Sequence, residues 1–232
     1  KMETMRIINT TIVSIIMFVV YWFSRIIPKK KGLWIFGAWY GEKYGDNTKY
    51  LFEYINKNVP EIRPVWLTRN QQAFDLIRLK GYEVYWTYSL KGFLISMIAE
   101  KIFVTVGIKD VNRYAINRKD VIMMWHGNTP IKKIVFDDTI TRKNQLFLEK
   151  FLYYLFPFLG TTRFNGVAIS GSEEASILFK SAFRANEKQI LLTGYPRNDT
   201  FFDMDQNAPI LAEIESLKRT DTTTVIYMPT HR

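Results

Sequence analysis

The sequence contains no cysteine, which excludes a disulfide framework and any zinc site built from thiolates. Only two of the 232 residues are histidines, too few for a histidine-rich metal cluster. Acidic residues are also scarce, 22 against 32 basic ones, so the formal net charge is +10. This charge predicts an anionic partner: phospholipid, nucleotide phosphate, a polyphosphate polymer or nucleic acid.

Apolar residues, by contrast, are abundant. Hydrophobic residues make up 47% of the chain and aromatic residues 16%, and a chain of this length can bury a core. The aromatic content indicates a surface that meets an apolar phase, and a membrane is the first candidate.

An apolar run over residues 7–23 is close to the length that a helix needs to cross a bilayer. Basic residues crowd its carboxyl side, at Arg25 and 29–31, so this side is expected to stay cytoplasmic. We therefore predict a membrane anchor over 1–31. A signal peptide and an interfacial amphipathic helix remain alternatives, although no small-residue cleavage site follows.

After Gly32, short runs of β-branched and aromatic residues alternate with helix-like segments. This pattern predicts an α/β domain with a doubly wound, Rossmann-like parallel sheet. The predicted strands are Leu33–Trp39, Arg63–Thr68, Tyr82–Thr87, Lys101–Val106, Val121–Trp125, Gly166–Ser170 and Gln189–Thr193. The predicted helices are Asn47–Asn58 (capped by Asp46 or Asn47), Gln71–Lys80, Ser89–Glu100 and Ser172–Phe183.

A polar break near residue 200 precedes a predicted helix at 210–218 and a predicted strand at 223–228. We therefore expect three parts: the anchor 1–31, an acceptor-side and membrane-side domain 32–200, and the incomplete start of a second domain over 201–232. The apolar segment 145–159 is predicted to be either a buried core helix or an interfacial helix.

His126 directly follows a predicted strand, the position at which α/β enzymes place reactive groups. Gly127 permits close backbone approach, Thr129 is polar, and Lys132 and Lys133 supply positive charge nearby. A histidine alone at a strand end is usually structural. This setting favours a general base beside a phosphate.

Three motifs in order resemble the CDP-glycerol glycerophosphotransferase family of teichoic acid and capsule polymerases and primases. They are WHGNTPIKKI (Trp125–Ile134), TGYPRND (Thr193–Asp199) and YMPTHR (Tyr227–Arg232). The resemblance implies a glycosyltransferase-B architecture with two facing domains and no metal or other cofactor. It also implies transfer of glycerol phosphate or ribitol phosphate from a CDP-activated donor to a lipid-linked acceptor at the cytoplasmic face of the cell membrane.

In this interpretation, His126 takes the proton of the acceptor hydroxyl. The phosphate-binding candidates are Gly127, Thr129, Lys132, Lys133, Arg197, Asn198, Asp199 and Arg232. Three departures from the family pattern stand out: Asn128 is inserted in the first motif, His231 replaces a tryptophan, and the family's second functional histidine is absent. A chain that ends at Arg232 is therefore expected to be inactive by itself.

Simpler interpretations remain open for several of these residues. Arg197, Asn198 and Asp199 also suit a polar turn, and Asp46 and Asn47 suit a helix cap better than a ligand contact. The adjacent Asp137 and Asp138 are assigned no metal role, because neighbouring carboxylates point to opposite sides.

Two other functions compete with phosphotransfer: a nucleotide-sugar glycosyltransferase of the same architecture, and an inactive membrane-bound scaffold. Nucleic-acid binding is not expected, because no recognised motif for it occurs. The polyol, the polymer and the oligomeric state are not encoded in any pattern of the sequence.

Overall fold

The computed structural model describes residues 15–127, 133–138, 151, 155–156, 158, 165–202 and 212–216. The chain divides into two compact units, Lys1–Arg197 and Asn198–Arg232. The first unit carries a seven-stranded sheet, in which every neighbouring pair of strands is parallel.

The strands lie in the order β3-β2-β1-β4-β5-β6-β7, so the winding direction reverses between β1 and β4. Their bounds are β1 Lys30–Phe36, β2 Arg63–Thr68, β3 Val84–Trp86, β4 Ala99–Val104, β5 Val121–Met123, β6 Val167–Ser170 and β7 Ile190–Leu192. The prediction of an α/β fold with one parallel sheet of seven strands is thus confirmed.

Several strands end earlier than predicted. The apolar pattern extends β1 to Trp39 and β5 to Trp125, but the strands end at Phe36 and Met123. The reason is that the loops beyond these ends are themselves buried, so they are apolar without being extended. Trp39 and Trp125 both have positive φ angles, which strands do not adopt.

Within the described residues, four α-helices connect these strands: α1 Asp46–Asn58, α2 Gln71–Leu79, α3 Leu90–Ile98 and α4 Glu173–Phe183. The side chains of Asn70, Ser89 and Ser172 cap α2, α3 and α4 by accepting hydrogen bonds from backbone amides. α3 ends at Ile98 rather than Glu100, because Ala99 already begins β4.

The predicted cap of α1 is wrong. The N-cap position is Gly45, which has no side chain to donate or accept, and Asp46 is the first residue of the helix. The Asp46 and Asn47 side chains make other contacts, described below.

Two apolar clusters cover the opposite faces of the sheet. Alternate residues of β1 show the division: Leu33 and Ile35 belong to one cluster and Phe36 to the other. Phe179 of α4 packs in the first cluster and Phe52 of α1 in the second. Helices therefore cover both faces, and the sheet edge at the carboxyl ends of the strands is left for the loops.

Residues 15–24 are helical, and the side chains of Ile15, Val19 and Phe23 are exposed. Tyr21 is buried and its ring lies 5.7 Å from that of Phe158. Among the residues that the structure describes, no helix is both long enough and apolar enough to span a bilayer.

Several of the predicted segments lie wholly or partly outside the residues that the structure describes. Residues 7–14, most of 145–159 and the predicted strand 223–228 lie outside the described residues. Within the predicted helix 210–218, residues 212–216 are helical.

Candidate active site

The loops that follow β1, β4, β5 and β7 meet at the carboxyl edge of the sheet, beside the point where the winding reverses. The Trp39 amide donates to Thr105 Oγ1 (3.2 Å), which joins the first two loops. Arg197 Nη1 donates to the carbonyl oxygen of His126 (3.0 Å), which joins the last two. In open α/β sheets this edge is where ligands bind.

His126 lies three residues beyond the end of β5 and is half-buried between two indoles. Its ring centroid is 4.4 Å from that of Trp125 and 5.2 Å from that of Trp39. In the part of the chain that the structure describes, its Nδ1 atom has no hydrogen-bond partner. The flanking rings restrict the orientation of the imidazole, and the Nδ1 atom is buried without a partner among those residues.

Burial lowers the pKa of His126 below its ordinary value of 6.5. The negative charge of Asp46 opposes this shift, as does a hydrogen bond to the Thr105 backbone, whereas the charge of Arg197 adds to it. The imidazole is therefore neutral at pH 7, the state in which it can accept a proton.

Asp46 links the histidine's neighbours through its carboxylate, which is only 5% exposed. Oδ2 accepts a hydrogen bond from Trp39 Nε1 (3.1 Å), and Oδ1 accepts one from Arg197 Nη1 (3.2 Å). The carboxylate thus fixes one indole that contacts His126 and also the guanidinium that binds the His126 carbonyl.

Asn47 is completely buried, and its amide also bonds outside its own helix. Nδ2 donates to the carbonyl oxygens of Met124 (3.0 Å) and Trp125 (2.7 Å), and Oδ1 accepts from the Arg197 amide (3.4 Å). One side chain therefore connects the loops after β5 and β7.

The buried carboxylate of Asp110 connects the loops after β1 and β4 by accepting hydrogen bonds from their backbone amides. Its Oδ2 accepts from the amides of Thr105 (2.7 Å) and Val106 (2.8 Å), while Oδ1 accepts from the Tyr40 amide (2.7 Å). Burial raises the pKa of this carboxyl group, although the hydrogen bonds counteract the effect.

The backbone around the histidine is strained. Trp39, Tyr40, Asp46 and Trp125 have φ angles of 48°, 61°, 63° and 38°, in the left-handed region that favours glycine. Such residues cost about 1–3 kcal/mol each and persist only where surrounding contacts hold them. Strain of this kind is concentrated at functional sites.

The structure brings three of the predicted site residues together: His126, Gly127 and Arg197. The Gly127 carbonyl accepts from the hydroxyl of Tyr195 (3.2 Å). Burial raises the pKa of Tyr195 to about 12, so this donor keeps its proton.

The remaining predicted residues have different outcomes. Lys133 is exposed, as are Asn198 and Asp199, which belong to the second compact unit. Thr129, Lys132 and Arg232 lie outside the described residues. Asp137 pairs with Arg184 (3.4 Å), and the described residues contain no group of side chains able to hold a metal ion.

The sequence pattern does not mark Trp39, Asp110 or Tyr195 as parts of this site, and for Asp46 and Asn47 it favours a helix cap. A signal was present for two of them. Asp46 and Asn47 follow a strand and a glycine at the expected carboxyl edge. Their position also suits a helix cap, and the local sequence alone does not distinguish the two roles.

A family model described as CDP-glycerol:poly(glycerophosphate) glycerophosphotransferase matches residues 19–232. The chain is 26% identical over 230 residues to the teichoic acid glycerol-phosphate transferase of Staphylococcus aureus, covering 97% of this chain and 57% of that protein. It is 27% identical over 209 residues to the teichoic acid poly(glycerol phosphate) polymerase of Staphylococcus epidermidis, covering 85% of this chain and 27% of that protein.

Among solved structures, a variant of the wall teichoic acid polymerase TagF soaked with CDPG matches with a TM-score of 0.68 and 22% identity, over 100% of this chain and 57% of that one. At this identity the likeness concerns the fold alone. The chain therefore spans from about a quarter to just over half of the proteins that it matches.

Proposed function

Because the chain belongs to the CDP-glycerol:poly(glycerophosphate) glycerophosphotransferase family, we propose that it forms the acceptor-activating part of a transferase. The donor is CDP-glycerol or CDP-ribitol, and the acceptor is a teichoic-acid-like or capsular polymer bound to the membrane. The observation that carries this proposal is the neutral, half-buried His126, held between two indoles at the ligand-binding edge of a parallel sheet.

In the proposed reaction, His126 accepts the proton of a terminal hydroxyl of the acceptor. The hydroxyl oxygen attacks the β-phosphorus of the donor, so a new oxygen–phosphorus bond forms. The bond from this phosphorus to the bridging oxygen breaks, and CMP leaves with the electron pair. Such a reaction depends chiefly on positioning and on neutralising the charge of the phosphoryl oxygens.

Cationic side chains, rather than a resident metal, are proposed to neutralise this charge. Lys132, Lys133 and Arg197 are the candidates beside His126. Arg197 already binds Asp46, so its positive charge is held close to the reacting histidine. Thr129 and the Gly127 backbone are proposed to contact the phosphate.

The nucleotide is proposed to bind in a second Rossmann-like domain, as in the glycosyltransferase-B architecture. Asn198, Asp199 and Arg232 are the residues of this chain proposed to contribute to that site.

We further propose that the N-terminal segment places the protein at the cytoplasmic face of the cell membrane. Support comes from the exposed apolar side chains of helix 15–24 and from the basic residues Arg25 and 29–31 that follow it. Lys29 itself bonds to the Met97 carbonyl (2.6 Å), which ties the segment to the sheet domain.

The donor specificity is tested on membranes that carry the full-length protein. Radiolabelled CDP-glycerol, CDP-ribitol and a UDP-sugar are supplied in turn, and label in the polymer fraction is counted. We expect transfer from one of the two CDP-polyols and none from the UDP-sugar. Transfer from the UDP-sugar alone would establish a glycosyltransferase instead, and no transfer from any donor would favour the scaffold.

A further inference from the structure

Four consecutive carbonyl oxygens around the histidine each accept a hydrogen bond from a side chain. Asn47 binds those of Met124 and Trp125, at 3.0 and 2.7 Å. Arg197 binds that of His126 at 3.0 Å, and Tyr195 binds that of Gly127 at 3.2 Å. All these donors are 68 or more residues away in sequence, so the segment 124–127 is held by tertiary contacts rather than by a local turn.

The segment needs this restraint because its conformation is unfavourable. Trp125 has a φ angle of 38°, which a residue with a large side chain avoids, and the next residue is His126. If the peptide planes on either side of Trp125 rotated, the imidazole would leave its place between the indoles. The Asn47 amide binds the carbonyls of both planes.

Every hydrogen bond that the structure shows for the buried Asn47 side chain is with the loops after β5 and β7. It lies in the first turn of α1, but Gly45 occupies the cap position, and the Asn47 side-chain amide donates to carbonyl oxygens outside the helix. Its Oδ1 accepts from the Arg197 amide, so the same side chain also fixes the residue whose guanidinium binds the His126 carbonyl. A fully buried amide is tolerated because its donor and acceptor atoms are both used.

We propose that Asn47 is the positioning residue for His126: it holds the segment 124–127 in its strained conformation and thereby sets the imidazole for proton transfer. Asn47 touches neither the imidazole nor a reacting atom in this role. Its expected effect is therefore on turnover rather than on donor binding. The expected change in kcat rests on the proposed function. The expected change in the environment of the His126 ring does not depend on that function.

The primary variant is Asn47→Asp, which keeps the shape and the acceptor but replaces the donor with an oxygen facing two carbonyls. The matched control is Asn56→Asp on the same helix, where the amide donates to a single carbonyl, that of Phe52 (2.9 Å), remote from the histidine. Tyr195→Phe is the second variant. It removes one hydroxyl and one of the four contacts, and it keeps the ring that packs in the core.

The kinetic arm measures kcat and the KM for CDP-glycerol with full-length protein. For Asn47→Asp we expect kcat to fall by about 10–100-fold with KM changed less than about threefold, because a misplaced catalytic group costs rate rather than binding. Tyr195→Phe is expected to lower kcat by a few-fold, about the loss of one hydrogen bond, and Asn56→Asp to behave as wild type.

The second arm is independent of activity. The ring signals of His126 are assigned in an NMR spectrum of the same full-length protein by their loss in His126→Ala. We expect the His126 ring signals and their titration to change in Asn47→Asp and, less, in Tyr195→Phe, while those of His231 stay unchanged.

The kinetic and NMR measurements distinguish a failure of the proposed function from a failure of the role proposed for Asn47. If wild-type protein shows no transfer, the proposed function fails, and the NMR comparison alone decides the role of Asn47. If Asn47→Asp does not fold, Tyr195→Phe carries the test. Wild-type kcat and wild-type His126 signals in the folded variants would overturn the proposal, as would equal effects of Asn47→Asp and Asn56→Asp.

Discussion

The substitution Gly37→Ala tests how tightly the loops after β1 and β4 pack against each other. Gly37 follows β1 directly, and its amide donates to the Phe103 carbonyl (3.0 Å). A Cβ atom at this position would lie 2.3 Å from the Asp110 carbonyl oxygen and 2.8 Å from Val111 Cγ1. The first of these neighbours is backbone and cannot rotate away.

Relief therefore requires the backbone at Gly37 or at Asp110 to move by about an ångström, since atoms in well-packed interiors do not approach so closely. Overpacking of a core costs about 1–3 kcal/mol. Asp110 binds the Tyr40 and Thr105 amides, and losing one hydrogen bond to a charged group costs a further ~1.5–3 kcal/mol. Gly37→Ala is thus expected to lower the free energy of unfolding by roughly 2.5–6 kcal/mol.

The measurement is chemical denaturation followed by tryptophan fluorescence. Gly45→Ala is the matched control, because it lies in the same connection and a Cβ atom there meets nothing within 4 Å. Its free energy of unfolding should stay within about 1 kcal/mol of wild type. Equal stability of the two variants would show that the backbone around Gly37 accommodates a Cβ atom without cost.

Two further predictions concern charged groups. Because the pKa of His126 lies below 6.5, the acidic limb of kcat/KM against pH should fall below that value. Asp46→Asn removes a charge that favours the imidazolium, so this limb should move to still lower pH; a shift upwards in the measured profile would be inconsistent with the geometry. Arg63→Gln breaks a partly exposed ion pair with Glu83 and should lower the free energy of unfolding, measured by denaturation, by less than about 1 kcal/mol. A larger loss would contradict this prediction. The hydrogen bond from Arg63 lowers the pKa of Glu83 in the folded protein. The small stabilisation that this ion pair contributes is therefore present above pH 4.5 and is lost as the pH falls through the lowered pKa. Denaturation at several pH values would detect this loss.

The sheet was predictable from the sequence because its strands are buried on both faces. Central parallel strands such as Val65–Leu67 read as continuous apolar runs, which loops and surface helices rarely show. The strand ends were not predictable, because Met124 and Trp125 are buried in a loop and extend the apolar pattern beyond β5.

The position of His126 at the carboxyl edge of the sheet was predictable, and the residues that surround it there were not. His126 stands out by position, since it follows an apolar strand and precedes a glycine. Asn47 acts on carbonyls 77 and 78 residues away, and such a contact leaves no local pattern. A polar residue at a helix start has a sufficient local explanation as a cap, and only the fold shows that Gly45 occupies that position.

Proton transfer from the acceptor hydroxyl to His126 is the step on which the proposed reaction depends. The transfer of labelled glycerol phosphate from CDP-glycerol is measured for full-length wild-type and His126→Ala protein, each checked for folding by its thermal unfolding curve. We expect kcat to fall by roughly 100-fold or more in the folded variant, because a general base is lost. A folded His126→Ala protein with near-normal kcat would contradict it.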